Sequence, residues 1–558
     1  MGEKLTDMKI FQPKLFTELK DYNAKRFAND VVAGIIVAII ALPLSIALAI
    51  ASGVSPERGL YTAIVAGFVI ALLGGSKVNI SGPTAAFATI VAGIVAQYDI
   101  SGLAIATVMA GIILILMGIC RFGALIKYIP ATITTGFTSG IAVTIVIGQL
   151  KDFFGLTFAE GTVAVETTEK LSAVVSSFGT LNWQSLLVGV LSLVILALWP
   201  KISKKIPGSL VVVILGAAVV KLFDINVNTI GDLYTITNTP PKFALPAFSF
   251  AAVRQLVPSA FTIAVLAAIE SLLSCVVSDG MINDKHNSNT ELIAQGAGNI
   301  FSGLFGGIPA TGAIARTAAN VKNGGRTPVS GIVHAVVLLL ILVVLMPYAA
   351  WIPMPVIAAI LIMVAYNMCE WRKFVKICKT APKSDIAVLI ITFVLTVVFD
   401  LVVAIEIGLL AALILFMKRM TDVTNIRRWT ETDTISDDMG RLKNIPLNTQ
   451  VYEINGPMFF ATSDIVSEIP IRPDVKAVIF RMRNIPALDI SALYSLEDMC
   501  EHFKNKGITV IFSHVNEQPM SVMKKSGFYD NVGEENFLPN IDDALEYAGK
   551  LTGIKVRH

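Results

Sequence analysis

The sequence predicts an all-α polytopic membrane domain of about fourteen segments, arranged as two inverted repeats of seven, followed by a small cytoplasmic α/β domain. Three observations carry that prediction: charge is scarce, it is unevenly placed, and one motif occurs once in each half. Of 558 residues, 54% are hydrophobic and 15% charged, with a mean hydropathy of +0.71. Soluble domains of comparable apolar content carry about a quarter of their residues as charges, so a soluble globular enzyme is excluded. Basic and acidic residues number 44 and 41, a net charge of +3, which leaves no basic footprint for nucleic acid. The five cysteines are odd in number and form no CxxC pair, so neither a disulfide framework nor a zinc site is indicated. Neither a metal nor an organic cofactor is expected.

The first 417 residues hold 27 basic and 21 acidic side chains, and the last 141 hold 17 and 20. The first portion suits lipid and the second suits water. The predicted organisation is an N-terminal cytoplasmic segment at 1–29, a membrane domain at 30–417 with repeats at about 30–222 and 256–417, a linker at 418–440, and the α/β domain at 441–558. Charge-free stretches run 31–56, 59–76, 78–98, 100–120, 128–150, 171–200, 292–315 and 327–369. A crossing helix needs roughly 20 apolar residues, so each can cross once, and the last can cross twice around Pro347, Pro353 and Pro355. Apolar segments at 206–222, 256–278, 385–399 and 401–417 bring the count to about fourteen, some of them short, near 310–320 and 82–97.

Basic residues in short loops stay cytoplasmic. With Lys25 and Arg26 inside, alternate crossings put Arg121, Lys127, the Lys201–Lys205 cluster, Arg372–Lys383, Lys418 and Arg419 on that same side. Both termini are then cytoplasmic. The first 29 residues lack the apolar core and cleavage site of a signal peptide, so the first span is expected to persist.

The repeated motif is Gly-Gly followed by Pro beside Thr, ahead of a small-residue helix too short to cross. "LLGG" at 72–75 leads to "SGPTAAF" at 81–87, and "LFGG" at 304–307 leads to "IPATGA" at 308–313. Amides at a helix start are unpaired and carry about half a positive charge. Two such starts meeting near the bilayer midplane form a pocket for an anion. Pro83 and Pro309 are read as the half-helix starts, where a missing amide hydrogen costs nothing. Thr84 and Thr311 add hydroxyls, while Ala85, Ala86, Gly312 and Ala313 let a ligand approach the backbone. The predicted anion contacts are thus the amides of Thr84, Ala85, Ala86 and Phe87, with Thr311, Gly312 and Ala313. Close packing of small residues against neighbouring helices is the rival account of either motif alone.

Glu270 is the only charge between Arg254 and Asp279. A charge at the bilayer centre costs roughly 2.5 to 3.5 kcal/mol, so Glu270 carries a proton, coordinates a cation or pairs with a base. The first two readings make it an ion-coupling residue, for a proton or sodium, with Ser274 one helical turn away on the same face. Arg316 follows the second short helix, where it raises the potential at an anion site, pairs with Glu270, or snorkels to headgroups. His286 and His334 are single and lack ligand spacing.

After residue 440, short apolar runs alternate with amphipathic helices, as in "TQVYEIN", "VKAVIF" and "ITVIFSH", which argues a small α/β domain. Ser491 reads as a helix N-cap with Asp489 as a turn residue. No GxxxxGK[ST] loop occurs, so an ATP-driven pump is disfavoured.

The segments "SGPTAAF", "IPATITTGFTSGIAVTI" (129–145) and "DKHNSNTELIAQGAGNIFSGLFGGIPATGAIARTAANVKNGGRT" (284–327) resemble the sulfate permease (SulP) family of anion transporters over nearly the whole chain. The C-terminal module resembles the STAS domain. "AAIESLL", "SDGM" and "AIARTAANV" look most like the family's bacterial C4-dicarboxylic acid transporters, whereas bicarbonate members tend to have Asp at the position of Glu270. The resemblance implies core and gate domains, an elevator motion, a homodimer in the bacterial plasma membrane, and substrate held between the half-helices at 83–97 and 310–320. It also implies ion coupling at Glu270 and a basic position at Arg316, preceded here by Ala315 where many members have Ser. In anti-sigma relatives the loop matched by Asp489, Ile490 and Ser491 carries a phosphorylated hydroxyl, so Ser491 is a candidate regulatory site and the domain a candidate surface for a cytoplasmic protein. The expectation is proton-coupled symport of a C4-dicarboxylate or similar small anion. The alternatives are sodium-coupled bicarbonate or sulfate transport and a passive anion channel under STAS control.

Overall fold

The computed structural model describes residues 11–124, 130–159, 164, 166–203, 206–399, 401–429, 445–462 and 469–553. Lys127, Lys204, Lys205 and linker positions 430–440 lie outside the described residues. Two compact units are present, Met1–Leu410 and Ala411–His558.

The first unit is helical. Besides the shorter helices Lys14–Glu18, Thr167–Ser176, Ile230–Leu233 and Trp371–Thr380, it contains α1 (Ala24–Ala51), α2 (Pro56–Leu73), α3 (Ala88–Ile119), α4 (Ala131–Phe154), α5 (Trp183–Ile202), α6 (Gly208–Leu222), α7 (Phe250–Ile282), α8 (Ser288–Leu304), α9 (Ile314–Lys322), α10 (Val329–Leu345), α11 (Met354–Cys369) and α12 (Lys383–Val398), and α13 (Leu401–Val423) continues into the second unit. Eight helices among the described residues are long and apolar enough to cross a membrane. The helix α3 breaks at Asp99, whose φ of 56° is left-handed, so it counts as a short helix and a full span. With α3 counted twice, α1 to α13 supply the fourteen segments. Tight crossings depend on small residues, because lipid offers no hydrophobic force between helices. A Cβ on Gly296 of α8 would lie 2.5 Å from the Gly111 carbonyl oxygen of α3, and one on Gly111 would lie 2.6 Å from that of Gly296.

A fully buried carboxylate fixes the approach to the first motif. Glu291, in the first turn of α8, accepts from the amides of Gly75 (2.9 Å) and Ser76 (3.2 Å), from Asn79 Nδ2 (2.8 Å) and from Gln295 Nε2 (3.0 Å). Four donors offset the cost of burying it. At the N-terminal end Lys77 reaches Glu18 (3.0 Å) and Asp284 (3.1 Å), and the Lys14 amide donates to the Gly74 carbonyl (2.9 Å).

The second unit contains a five-stranded sheet of order β3-β4-β5-β6-β7: β3 (Asn425–Arg428), β4 (Thr449–Asn455), β5 (Ala477–Asn484), β6 (Thr509–Ser513) and β7 (Phe537–Leu538). The β3–β4 pair is antiparallel and the others are parallel. Tyr452, Phe480, Phe512 and Phe537 are in register on successive strands and stack at 6.0, 6.0 and 5.1 Å between centroids. Helices α14 (Ile490–Asn505), α15 (Glu517–Lys525) and α16 (Ile541–Thr552) complete this domain. Part of the expected linker is ordered: α13 runs on to Val423, and β3 extends the sheet at its edge. Nothing between Met417 and Val423 breaks a helix, and Ile426 and Trp429 pack into the domain's cores.

Candidate functional site

The two motifs meet. Residues Ser81–Gly82 (β1) and Thr311–Gly312 (β2) form a two-residue antiparallel ladder, with Ser81 opposite Gly312 and Gly82 opposite Thr311. The adjoining Ala313 amide donates to the Ile80 carbonyl at 2.8 Å. An extended chain at bilayer depth needs its polar groups satisfied by protein, and here each motif satisfies the other. Beyond the ladder, Thr84 leads into a single 3-10 turn, Ala85–Phe87, that opens the short part of α3, while Ala313 is the N-cap of α9.

The prolines are not where the helices start. Pro83 precedes the 3-10 turn by two residues, with Thr84 between them as an extended N-cap, and Pro309 precedes α9 by five, because Thr311 and Gly312 between them are drawn out into the β1–β2 ladder. The expected amide donors of the second motif are also largely occupied. The Gly312 amide donates to Ser271 Oγ (3.0 Å) and the Ala313 amide to Ile80. The unpaired amides of α9 therefore begin at Ile314, which is 43% exposed, and Ala315 beside it is exposed too. Thr311 is buried, and its hydroxyl pairs with Ser271 Oγ (2.7 Å) and donates to the Ala267 carbonyl (3.0 Å).

In the first motif, the Thr84 hydroxyl donates to Glu270 Oε2 at 2.9 Å, and both residues are half-buried. Ala85, Ala86 and Phe87 are buried. Glu270 on α7 thus stands at the start of the short part of α3, where the helix end carries partial positive charge.

Arg316 resolves its three expected roles. It is 2% exposed, so it does not snorkel, and its Nη2 donates to the Pro83 carbonyl (3.1 Å) and Ser45 Oγ of α1 (3.4 Å) rather than to Glu270. Its Nη1 has no partner and would lie 2.4 Å from a Cβ on Gly82. The guanidinium of the second repeat thereby reaches across to the first motif, which only a glycine at position 82 leaves open.

Ser274 does not join Glu270. Its hydroxyl donates to Asn79 Oδ1 (2.7 Å) and Thr317 Oγ1 (3.1 Å), inside the buried network around Glu291. The residue of α7 that serves the ladder is Ser271, three positions earlier, which the sequence reading missed along with Asn79, Asn299 and Glu291. Asn299 pairs with Ala310 in both directions, at 2.8 and 2.9 Å. The signal available for these was the polar side chain in an apolar helix, a signal shared by many packing residues.

In the second unit, Asp489 is the N-cap of α14, accepting from the Ala492 amide at 2.9 Å. Ser491 is therefore the second helical residue and not the cap, and it is half-buried. A carboxylate accepts the amide as well as a hydroxyl would and adds charge of the sign the helix start favours.

Residues 27–392 match the family model described as "Sulfate permease family", and residues 442–544 match the STAS domain. The chain is 39% identical to "Putative sulfate transporter YvdB" of Bacillus subtilis, over 94% of this chain and 98% of the relative. It is 31% identical to "Bicarbonate transporter BicA" of Picosynechococcus, over 94% and 95%. In fold it matches the inward-facing murine Slc26a9 anion transporter with a TM-score of 0.88 at 18% identity, over 98% and 96% of the two chains.

Proposed function

The chain belongs to the sulfate permease family of membrane anion transporters, and from that premise we propose that it is a proton-coupled symporter of a C4-dicarboxylate or similar small anion in the bacterial plasma membrane. The observation that carries the reading is the antiparallel pairing of Ser81–Gly82 with Thr311–Gly312, which brings two helix starts together inside one protein core. The proposed anion site lies at the start of α9, at the amides of Ile314 and Ala315, with Thr84 and the amides of Ala85 and Ala86 on the side of the first motif; the Phe87 amide, expected to join them, is taken by the Thr84 carbonyl at 3.3 Å. Arg316 supplies the fixed positive charge behind them. Glu270, hydrogen-bonded to Thr84, takes the proton, so that anion and proton cross together.

Coupling matters because an inside-negative potential opposes anion entry by roughly 2.3 kcal/mol per charge per 100 mV. Each proton carried with the anion cancels the opposition on one charge, so a dianion such as succinate needs two to cross without it. The proposed assembly is a homodimer with both termini cytoplasmic, in which Ser491 and the STAS surface are the points of control by a cytoplasmic protein. Three segments resembling C4-dicarboxylate transporters favour succinate or fumarate as substrate. The names of the relatives YvdB and BicA favour sulfate or bicarbonate. Uptake of these four anions into proteoliposomes, with and without a pH gradient and with sodium replaced by choline, decides substrate and coupling ion together. Saturable uptake that is stimulated by the same anion on the far side supports a carrier. Uptake without such stimulation would establish the channel alternative.

A further inference from the structure

A groove of about 620 Å³ lies between α1, α6 and α10, within the range of about 300–1,000 Å³ typical of small-molecule sites. Pro43 and Ile46 of α1, Ile214 and Ala218 of α6, and Leu345 of α10 form its walls. Ile214 and Leu345 are 58% and 48% exposed, so the groove is open rather than enclosed. Small residues on α6 leave the gap that larger ones would fill.

Its one cationic side chain is at one end. Lys221, on the last turn of α6, places Nζ 3.4 Å from the centre of the Trp351 ring, and Tyr348 meets Trp351 edge-on at 5.3 Å. Among the described residues no carboxylate lies within ion-pair distance of Lys221. Tryptophan, tyrosine and lysine collect where the hydrocarbon gives way to headgroups. An apolar trough ending in an uncompensated cation and two aromatic rings is complementary to one kind of molecule in a bilayer.

We propose that this groove binds an acyl chain of an anionic phospholipid, with the headgroup phosphate at Lys221. The site is separate from the anion site but touches the same helix. Pro43 and Ile46 line the groove, and Ser45, on the intervening part of that turn, accepts from Arg316. A lipid seated there sets how α1 stands against α6, and so bears on the guanidinium at the β1–β2 ladder. The proposal is independent of which anion is carried.

The test is native mass spectrometry of the full chain with phosphatidylglycerol or phosphatidylcholine added, on the wild type and on Lys221→Gln, Lys221→Arg and Ala218→Trp. The wild type is expected to retain phosphatidylglycerol in preference to phosphatidylcholine. Lys221→Gln should weaken that preference about fivefold, the scale of one basic residue at an anionic surface, and Lys221→Arg should keep it. Ala218→Trp should lose the bound lipid. All three substitutions are at exposed positions, and circular dichroism verifies that each remains folded. Equal retention of the two lipids by the wild type, or undiminished preference in Lys221→Gln, overturns the proposal. Because the readout is mass and not uptake, failure here leaves the transport reading standing, and the reverse also holds.

Discussion

The segments Ser81–Phe87 and Thr311–Arg316 look alike in sequence and pair with each other in space, yet they do different chemical work. The first ends in a buried 3-10 turn whose threonine is hydrogen-bonded to a carboxylate, Glu270. The second ends in a regular helix whose opening amides are exposed and whose guanidinium, Arg316, is buried and reaches back to the first. Repetition thus supplies the scaffold, and the two charges break its symmetry. Both charges come from the second repeat and both are set against the first motif, so acid and base stand together at one place, which two identical halves could not provide.

The comparison breaks most completely at Glu270. Glu270→Gln keeps a hydrogen-bonding partner for Thr84 but cannot gain or lose a proton, so accumulation driven by a pH gradient should vanish while anion counterflow partly survives. If the variant still concentrates substrate, the acid has been misassigned.

Next in size is the base, Arg316. Arg316→Gln removes a charge-assisted hydrogen bond to the Pro83 carbonyl, and hydrogen bonds to charged groups are worth roughly 1.5–3 kcal/mol. A fall of about ten- to a hundredfold in kcat/KM is expected, with counterflow and uptake affected alike. A variant that loses only pH-driven uptake would place Arg316 on the proton side instead.

Ser271→Ala sharpens the comparison by acting on the second segment alone. It leaves the buried Gly312 amide without its partner, at a cost of about 1–3 kcal/mol for an unsatisfied group, while the Thr311 hydroxyl keeps the Ala267 carbonyl. The melting temperature should fall, and by more than for Thr84→Ala, since Thr84 is half-buried.

The smallest effect is expected where the repeats are tied outside the membrane, by Lys77 of the first and Asp284 of the second. Burial raises the Asp284 carboxyl, but the Lys285 amide and the Lys77 and Lys14 ammonium groups outweigh it and hold it below its ordinary 3.8. For Lys77 burial lowers the ammonium, and Glu18 and Asp284 outweigh that and raise it. A lowered carboxylate contributes stability above its ordinary value and loses it as pH falls through the folded one. Proteolysis of the N-terminal segment should therefore be unchanged from pH 8 to pH 5 and increase only below about pH 4. Release near pH 6 would show that the tie does not depend on Asp284.

Much of this architecture was legible because insertion into lipid constrains sequence directly. Spans were readable as charge-free stretches, and Asp99, the lone charge between two of them, marked the break in α3. The motifs were readable because Gly-Gly and Pro beside Thr are rare enough to notice twice. What escaped depended on partners distant in the chain. Pro309 satisfied a rule for helix starts, but the ladder with residues 81 and 82 claimed the residues after it, and no local pattern announces a two-residue pairing across more than two hundred positions. Ser274 and Ser271 are equivalent by composition, and only the position of Thr311 tells them apart. Glu291 sits in a first helical turn, where an acidic residue is ordinary, so its burial beneath Gly75 and Ser76 left no trace in the sequence. His334 lacked ligand spacing, yet it is fully buried with neither ring nitrogen partnered.

The brevity of the β1–β2 ladder bears on how cargo moves. Because its few hydrogen bonds lie between the half-helices, any displacement that slid one repeat past the other would tear open backbone groups with no water nearby to receive them. Alternating exposure is then cheapest when both halves of the cradle ride as one piece and the sliding boundary falls elsewhere, among side chains alone.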